Sequence, residues 1–179
     1  MNFKLNEGIE ILERTPRTLE GFLAGLSAGW LEGDEGEGTW NAVGVVEHLI
    51  EGEKHNWIPR LKMILHDGES RVFPVFNRFS HVEEPSSKSI EEKLAEFASL
   101  RSDSVKELKA LIVDQDHSLE ATGLHPAFGE VSARELISTW VVHDLTHISQ
   151  IVRVFSNRYR EDVGPWKEYL GVLKRTEPS

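Results

Sequence analysis

The stretch VVHDLTHISQ, residues 141–150, carries two histidines four positions apart and an aspartate directly after the first. On a helix of 3.6 residues per turn such a pair shares one face, with Cβ atoms about 5–6 Å apart. Leu136, Trp140, His143, His147, Ile151 and Val154 recur at three- and four-residue steps, the period of an amphipathic helix. Ser132 and Glu135 stand at capping-box spacing just before it. Both histidines therefore face inward. Burying two imidazoles costs desolvation and requires partners for four ring nitrogens; a metal ion satisfies two of them at once.

The same period extends outward in both directions, and alternating stretches are scarce. Ile9, Leu12, Leu19, Phe22, Leu23 and Leu26 predict a first helix in which Pro16 either interrupts the run or restarts it. LEGDEGEGTW, residues 31–40, reads as a glycine-rich acidic loop. Asn41 reads as the N-cap of a second helix through Val45, His48, Leu49, Trp57, Leu61 and Ile64, kinked at Pro59. Residues 71–87 look irregular, a loop crossing the molecule. Ser89 and Glu92 open a third helix through Leu94, Phe97, Leu100, Leu108 and Leu111. TGLHPAFGEV, residues 122–131, reads as a further loop, and VGPWKEYLGVL, residues 163–173, as a short helical segment with Pro165 near its start. The fold expected is all-α: a four-helix bundle with long connections and a short C-terminal helical segment, forming one domain over residues 1–179.

His48 lies between Val45, Leu49 and Gly52, at a core position of the second helix, while Glu47, Glu51 and Glu53 are expected to face solvent. His48, His143 and His147 together would present three nitrogens and leave further coordination positions open, an arrangement of catalytic rather than structural type. The competing reading makes each a hydrogen-bonded core histidine. His55, His66, His81, His117 and His125 read as surface or capping residues, with His125 placed where a loop could close over the site. HDLTH departs by one letter from the zinc-protease pattern H-E-x-x-H. Aspartate is a methylene shorter than the glutamate general base, and no histidine follows His147. Asp144 is better suited to bonding a neighbouring histidine or a basic side chain. Asp144 and Glu51 are the nearest candidates for a general base, and Gln150 could orient a bound group or bond across a helix interface. Trp40 and Trp166 could line a pocket or simply pack.

Of 179 residues, 30 are Asp or Glu and 20 are Lys or Arg, a formal net charge of −10. That balance argues against nucleic acid as a partner. There is no cysteine, which excludes disulfides, thiolate ligands and a cysteine nucleophile. The opening residues lack the features of a signal peptide, and no apolar run approaches a membrane span. The expectation is a cytoplasmic protein without a membrane partner.

TWNAVGVVEHLIEGE (residues 39–53), with Trp40 eight positions before His48, and HDLTHISQI (residues 143–151) occur in the order found in one known family. TPRTLEGFLAGLSAGWL (residues 15–31) and VGPWKEYL (residues 163–170) are also similar to its segments. The sequence resembles the DinB superfamily of four-helix-bundle metalloenzymes over nearly its whole length. The resemblance implies that His48, His143 and His147 bind a divalent metal, commonly nickel or zinc. Related branches are S-transferases that use low-molecular-weight thiols such as bacillithiol, mycothiol or glutathione-like compounds, and others are maleylpyruvate isomerases. It therefore implies a metal-dependent transferase or hydrolase acting on a small molecule, in a homodimer, with a thiol cosubstrate supplied from outside. The alternative is a non-catalytic bundle stabilised by the ion, with an interaction role.

Overall fold

The computed structural model describes residues 2–83, 86–112 and 115–174. Its elements run α1 (Leu5–Leu23), α2 (Ala28–Leu31), α3 (Ala42–His55), α4 (Trp57–His66), α5 (Ser80–Glu83), α6 (Ile90–Leu111), α7 (Gln115–Glu120), β1 (Thr122–His125), β2 (Gly129–Ser132) and α8 (Ala133–Arg158). Short 3-10 segments follow at Gly164–Tyr169 and Gly171–Leu173. The four long members of the bundle are α1, the α3–α4 pair, α6 and α8. Helix α1 packs on α6 and α8, α3 on α6, and α4 on α8. Among the described residues no helix is long and apolar enough to cross a membrane.

Local chemistry sets the helix starts. Asn41 accepts from the Gly44 backbone N–H at 2.8 Å, and Ser89 with Glu92 and Ser132 with Glu135 form reciprocal capping boxes. Each satisfies backbone donors that no helical carbonyl can reach. The buried stripe of α8 runs through Ala133, Ile137, Trp140, Asp144, His147, Ile151 and Val154 in alternating steps of four and three, with Phe155 buried beside its end. The apolar stripe is thus centred beside the expected one: Leu136 and His143 lie on its flank, half-buried.

Two prolines act differently. In α1, Pro16 leaves the helix unbroken but has no N–H for the Leu12 carbonyl. Arg101 of α6 donates its Nη1–H to that carbonyl at 3.0 Å. The second predicted helix is divided three residues before Pro59, at Asn56 (φ −111°, ψ −68°). A proline ring clashes with the carbonyl four residues back, here His55, so α3 ends there and Pro59 sits in the first turn of α4.

The core forms two apolar clusters. One contains Leu12, Trp57, Leu61, Leu108, Ile137 and Trp140; the other contains Leu19, Leu49, Phe97, Ile151 and Val154. Fully burying each such side chain contributes about 1.5–3 kcal/mol. Between them runs a polar belt with one contribution from each long helix: the Leu12 carbonyl, Glu53, Arg101 and Asp144. Arg101, 1% exposed, bonds Asp144 through Nη1 and Nη2 at 2.5 and 2.9 Å. Its Nε and Nη2 reach one oxygen of Glu53 at 3.0 and 2.8 Å, and Trp140 Nε1–H donates to that same oxygen at 3.0 Å. Glu53 therefore turns into the core, against the expectation that it faces solvent. Burial pushes its carboxyl up while Arg101 pulls it down, with a net rise.

Residues 122–131 are not a plain loop. Strands β1 and β2 pair antiparallel, Thr122 with Ser132 through His125 with Gly129. Gly129 (φ 73°) supplies the left-handed residue that a three-residue hairpin turn needs. The Phe73 N–H donates to the Leu124 carbonyl at 2.9 Å, so the crossing segment from residue 71 is tied to the hairpin. Strand β2 ends on Ser132, the N-cap of the histidine helix.

Candidate metal centre

His48 projects from α3, and His143 and His147 from successive turns of α8. Their rings meet at Nε2: His143 Nε2 lies 3.1 Å from both His48 Nε2 and His147 Nε2. Each ring nitrogen offers one in-plane proton or one lone pair, so His143 Nε2 cannot complement both neighbours by hydrogen bonding. A cation accepts all three lone pairs. Nitrogens about 2.0–2.1 Å from one ion stand about 2.9–3.4 Å apart at angles from square to tetrahedral, which brackets the observed spacing. The residues fit a metal ion.

The protonation states agree with that fit. Burial lowers the His48 imidazole to about 3, with His147 and His81 acting in the same sense. Burial likewise lowers His143 to about 2, aided by His147 and His48, and lowers His147 against the opposing pull of Gln150 and Asp144. All three are neutral imidazoles at pH 7. His147 Nδ1 stands 2.9 Å from Gln150 Oε1. An amide oxygen only accepts, so Nδ1 carries the proton and Nε2 is left with a bare lone pair. Gln150 thus orients a histidine from the next turn of its own helix, rather than bonding across a helix interface.

The other candidates fall elsewhere. Asp144 is fully buried and held by Arg101, the basic partner that was one of its two expected roles. It faces the polar belt, with no bond to the histidine rings. Glu51 lines a separate cavity of about 160 Å³ with Glu47 and Lys93, and pairs with Lys54 and His55 at 3.5 and 3.7 Å. Trp40 lies over the site, its ring 4.7 Å from His48 and 6.1 Å from His147. Trp166 is exposed. Among the described residues the only cluster with metal-ligand spacing is His48, His143 and His147, with no fourth histidine, aspartate or glutamate joining it. The rings open into a cavity of about 640 Å³ walled by Trp40, Trp57, Phe73, Phe76 and Phe128, a volume suited to small molecules.

His81 corrects the sequence reading. It is buried rather than superficial, with its ring 4.6 Å from Trp40 and 5.6 Å from His48, and neither ring nitrogen has a partner. It lies on the one-turn helix α5, too short for periodicity to mark an inward face. His125 stays outside the cluster but lines the cavity, stacked on Phe128 at 4.5 Å. His55 and His66 are exposed as expected; the His117 side chain lies outside those described. Sequence reading also missed Arg101 and Glu53. Arg101 falls between Phe97 and Leu108 at helical spacing, and that charge within an apolar stripe was the available signal.

The sequence matches the family model of the DinB superfamily over residues 11–151. The chain belongs to the DinB superfamily. Among solved structures it is similar to YfiT from Bacillus subtilis, with 21% identity and a TM-score of 0.72 over 85% of this chain and 86% of that one. YfiT is described as a probable metal-dependent hydrolase with an unusual four-helix bundle topology, and at this identity the likeness establishes the fold. No curated protein matches the sequence. Within the DinB fold of this chain, α3 and α8 supply the histidines, and β2 fixes where α8 begins.

Proposed function

We propose that His48, His143 and His147 hold one divalent ion, zinc or nickel, and that the protein is a metal-dependent enzyme acting on a small molecule in the adjoining cavity. The observation that carries this reading is the convergence of three neutral Nε2 atoms at 3.1 Å contacts on an open cavity, without a fourth histidine, aspartate or glutamate beside them among the described residues. A stabilising site would be expected to close its coordination shell. Imidazole ligands suit both metals.

A divalent ion there supplies Lewis acidity, which lowers the pKa of a water or thiol toward 7 or polarises a carbonyl. Gln150 holds the His147 tautomer, Trp40 shields the ring faces, and the aromatic wall keeps bulk water from the reacting atoms. The hydrolytic reading takes support from the description of YfiT. A specific feature favours thiol transfer as the second reading. Asp144 is bonded to Arg101 and makes no bond to the histidine rings, so it is poorly placed as a general base, and a thiol needs less help to ionise than water does. The homodimer implied by the family belongs to the same proposal.

The test is to strip the protein with chelator, reload it with zinc or nickel, and assay ester and amide hydrolysis beside conjugation of low-molecular-weight thiols to electrophiles. Turnover that vanishes on stripping, returns on reloading and is missing in His143→Ala supports the proposal. Turnover indifferent to metal contradicts it.

A further inference from the structure

The one buried cation lining the cavity has no counter-ion among the described residues. Arg60, on α4, is 8% exposed and lines the cavity that holds the three histidines. Its Nη2–H donates to the Pro74 carbonyl at 3.1 Å, but its buried Nε has no partner, and no carboxylate pairs with it among the described residues. One turn earlier, Asn56 is 7% exposed, lines the same cavity, and its amide oxygen is likewise buried without a partner. A buried polar group without a partner costs free energy, more when it is charged. Two of them at i and i+4 share one helix face.

The rest of the cavity does not neutralise this charge. Of its glutamates, Glu35 is bonded to Arg153 and Asn157, and Glu135 is committed to the capping box of Ser132. The Arg60 charge is felt across the cavity: after burial, it is the cause that lowers the His125 imidazole. A chain with a net charge of −10 thus keeps an uncompensated guanidinium beside its candidate metal centre, with the Phe73 ring 5.5 Å from Arg60 Cζ and Phe76 and Phe128 completing an apolar wall.

We infer that Arg60, with Asn56 beside it, forms an oxyanion-binding subsite, and that the molecule taken by this cavity carries a carboxylate or phosphate at one end and an apolar or aromatic body. The inference rests on the reading of the histidines as the reactive centre and adds the substrate class. The guanidinium fork presents Nε–H to one oxygen of the anion. The Asn56 amide oxygen, an acceptor without a partner, takes a hydroxyl or N–H of the same molecule, and the aromatic wall takes the body. A fork of this kind matches planar oxyanions better than an ammonium does. The bland alternative is that Arg60 serves only to hold the segment at Pro74.

The experiment measures binding of benzoate, phenyl phosphate and neutral benzamide to metal-free and zinc-loaded wild type and to Arg60→Met, by saturation-transfer NMR. Zinc affinity is determined separately. Charge-assisted hydrogen bonds imply that at least one of the two anions binds about tenfold or more tightly than benzamide, in metal-free protein as well. Arg60→Met removes that preference, and whichever anion is favoured tells carboxylate from phosphate. Equal binding of anions and benzamide by the wild type overturns the inference without recourse to any variant. So does anion binding that needs zinc and survives in Arg60→Met, since the anion then sits on the metal. Failure to bind zinc would count against the metal reading alone and leave the anion comparison to decide this one.

Discussion

Arg101 donates to the Leu12 carbonyl at 3.0 Å, the carbonyl that Pro16 deprives of its helical N–H. The same guanidinium holds Glu53 and Asp144, so one side chain ties all four long helices at mid-height. His143 precedes Asp144 on α8, and His48 lies on α3 with Glu53. The belt therefore fixes how the two histidine-bearing helices stand relative to each other.

Removing that guanidinium leaves two carboxylates buried without compensation. Breaking a buried ion pair from one side costs about 3–5 kcal/mol. Arg101→Met is expected to lose stability on that scale in denaturant melts. Arg101→Lys retains a charge but cannot span three partners, and is expected to recover only part of the loss.

Gln150 acts through His147, by fixing which nitrogen bears the proton. Loss of such a supporting bond typically weakens metal affinity about 10–100-fold. Gln150→Leu is expected to fall in that range by competition with a chromogenic chelator, with its unfolding midpoint in the metal-free state little changed. An affinity equal to wild type would show that the bond does not set the tautomer.

Acid is expected to destabilise the metal-free protein through the histidines. Their folded-state values lie below the ordinary value near 6.5, at about 3 for His48 and about 2 for His143. Above pH 6.5 they are neutral folded or unfolded and impose no pH dependence. Below it the unfolded chain takes up protons that the folded one refuses, so stability falls as the pH drops from 6.5 toward 3. Each histidine contributes up to about 1.4 kcal/mol per pH unit. Urea melts at pH 7.5, 6.0 and 5.0 read the slope, and His48→Ala is expected to flatten it.

Ser132 closes the hairpin and caps α8 together. Ser132→Ala removes the side-chain acceptor for the Glu135 N–H and is expected to cost about 0.5–2 kcal/mol, measured by thermal unfolding.

The bundle and the histidine trio were legible because helical period and capping boxes are local signals. His143 and His147 lie one turn apart near a marked N-cap, and His48 follows Asn41 in the same way. Where the sequence misled, the deciding contact was distant in the chain. Glu53 looked solvent-facing beside Glu47 and Glu51 until Arg101, 48 residues on, is seen to claim it. Strand β1 is only four residues long and is paired on its other edge with Val72, a partner that periodicity cannot reveal. His81 is buried by Trp40, from a loop 41 residues earlier.

Metal content tests the central claim most directly. Untagged wild type, His48→Ala and His143→Ala are loaded with zinc or nickel, desalted and measured by elemental mass spectrometry, with circular dichroism to verify folding. The account predicts close to one ion per chain in the wild type and loss of that ion in both folded variants. A wild type that retains no divalent ion after loading, or variants that retain it fully, would contradict a shared three-histidine centre.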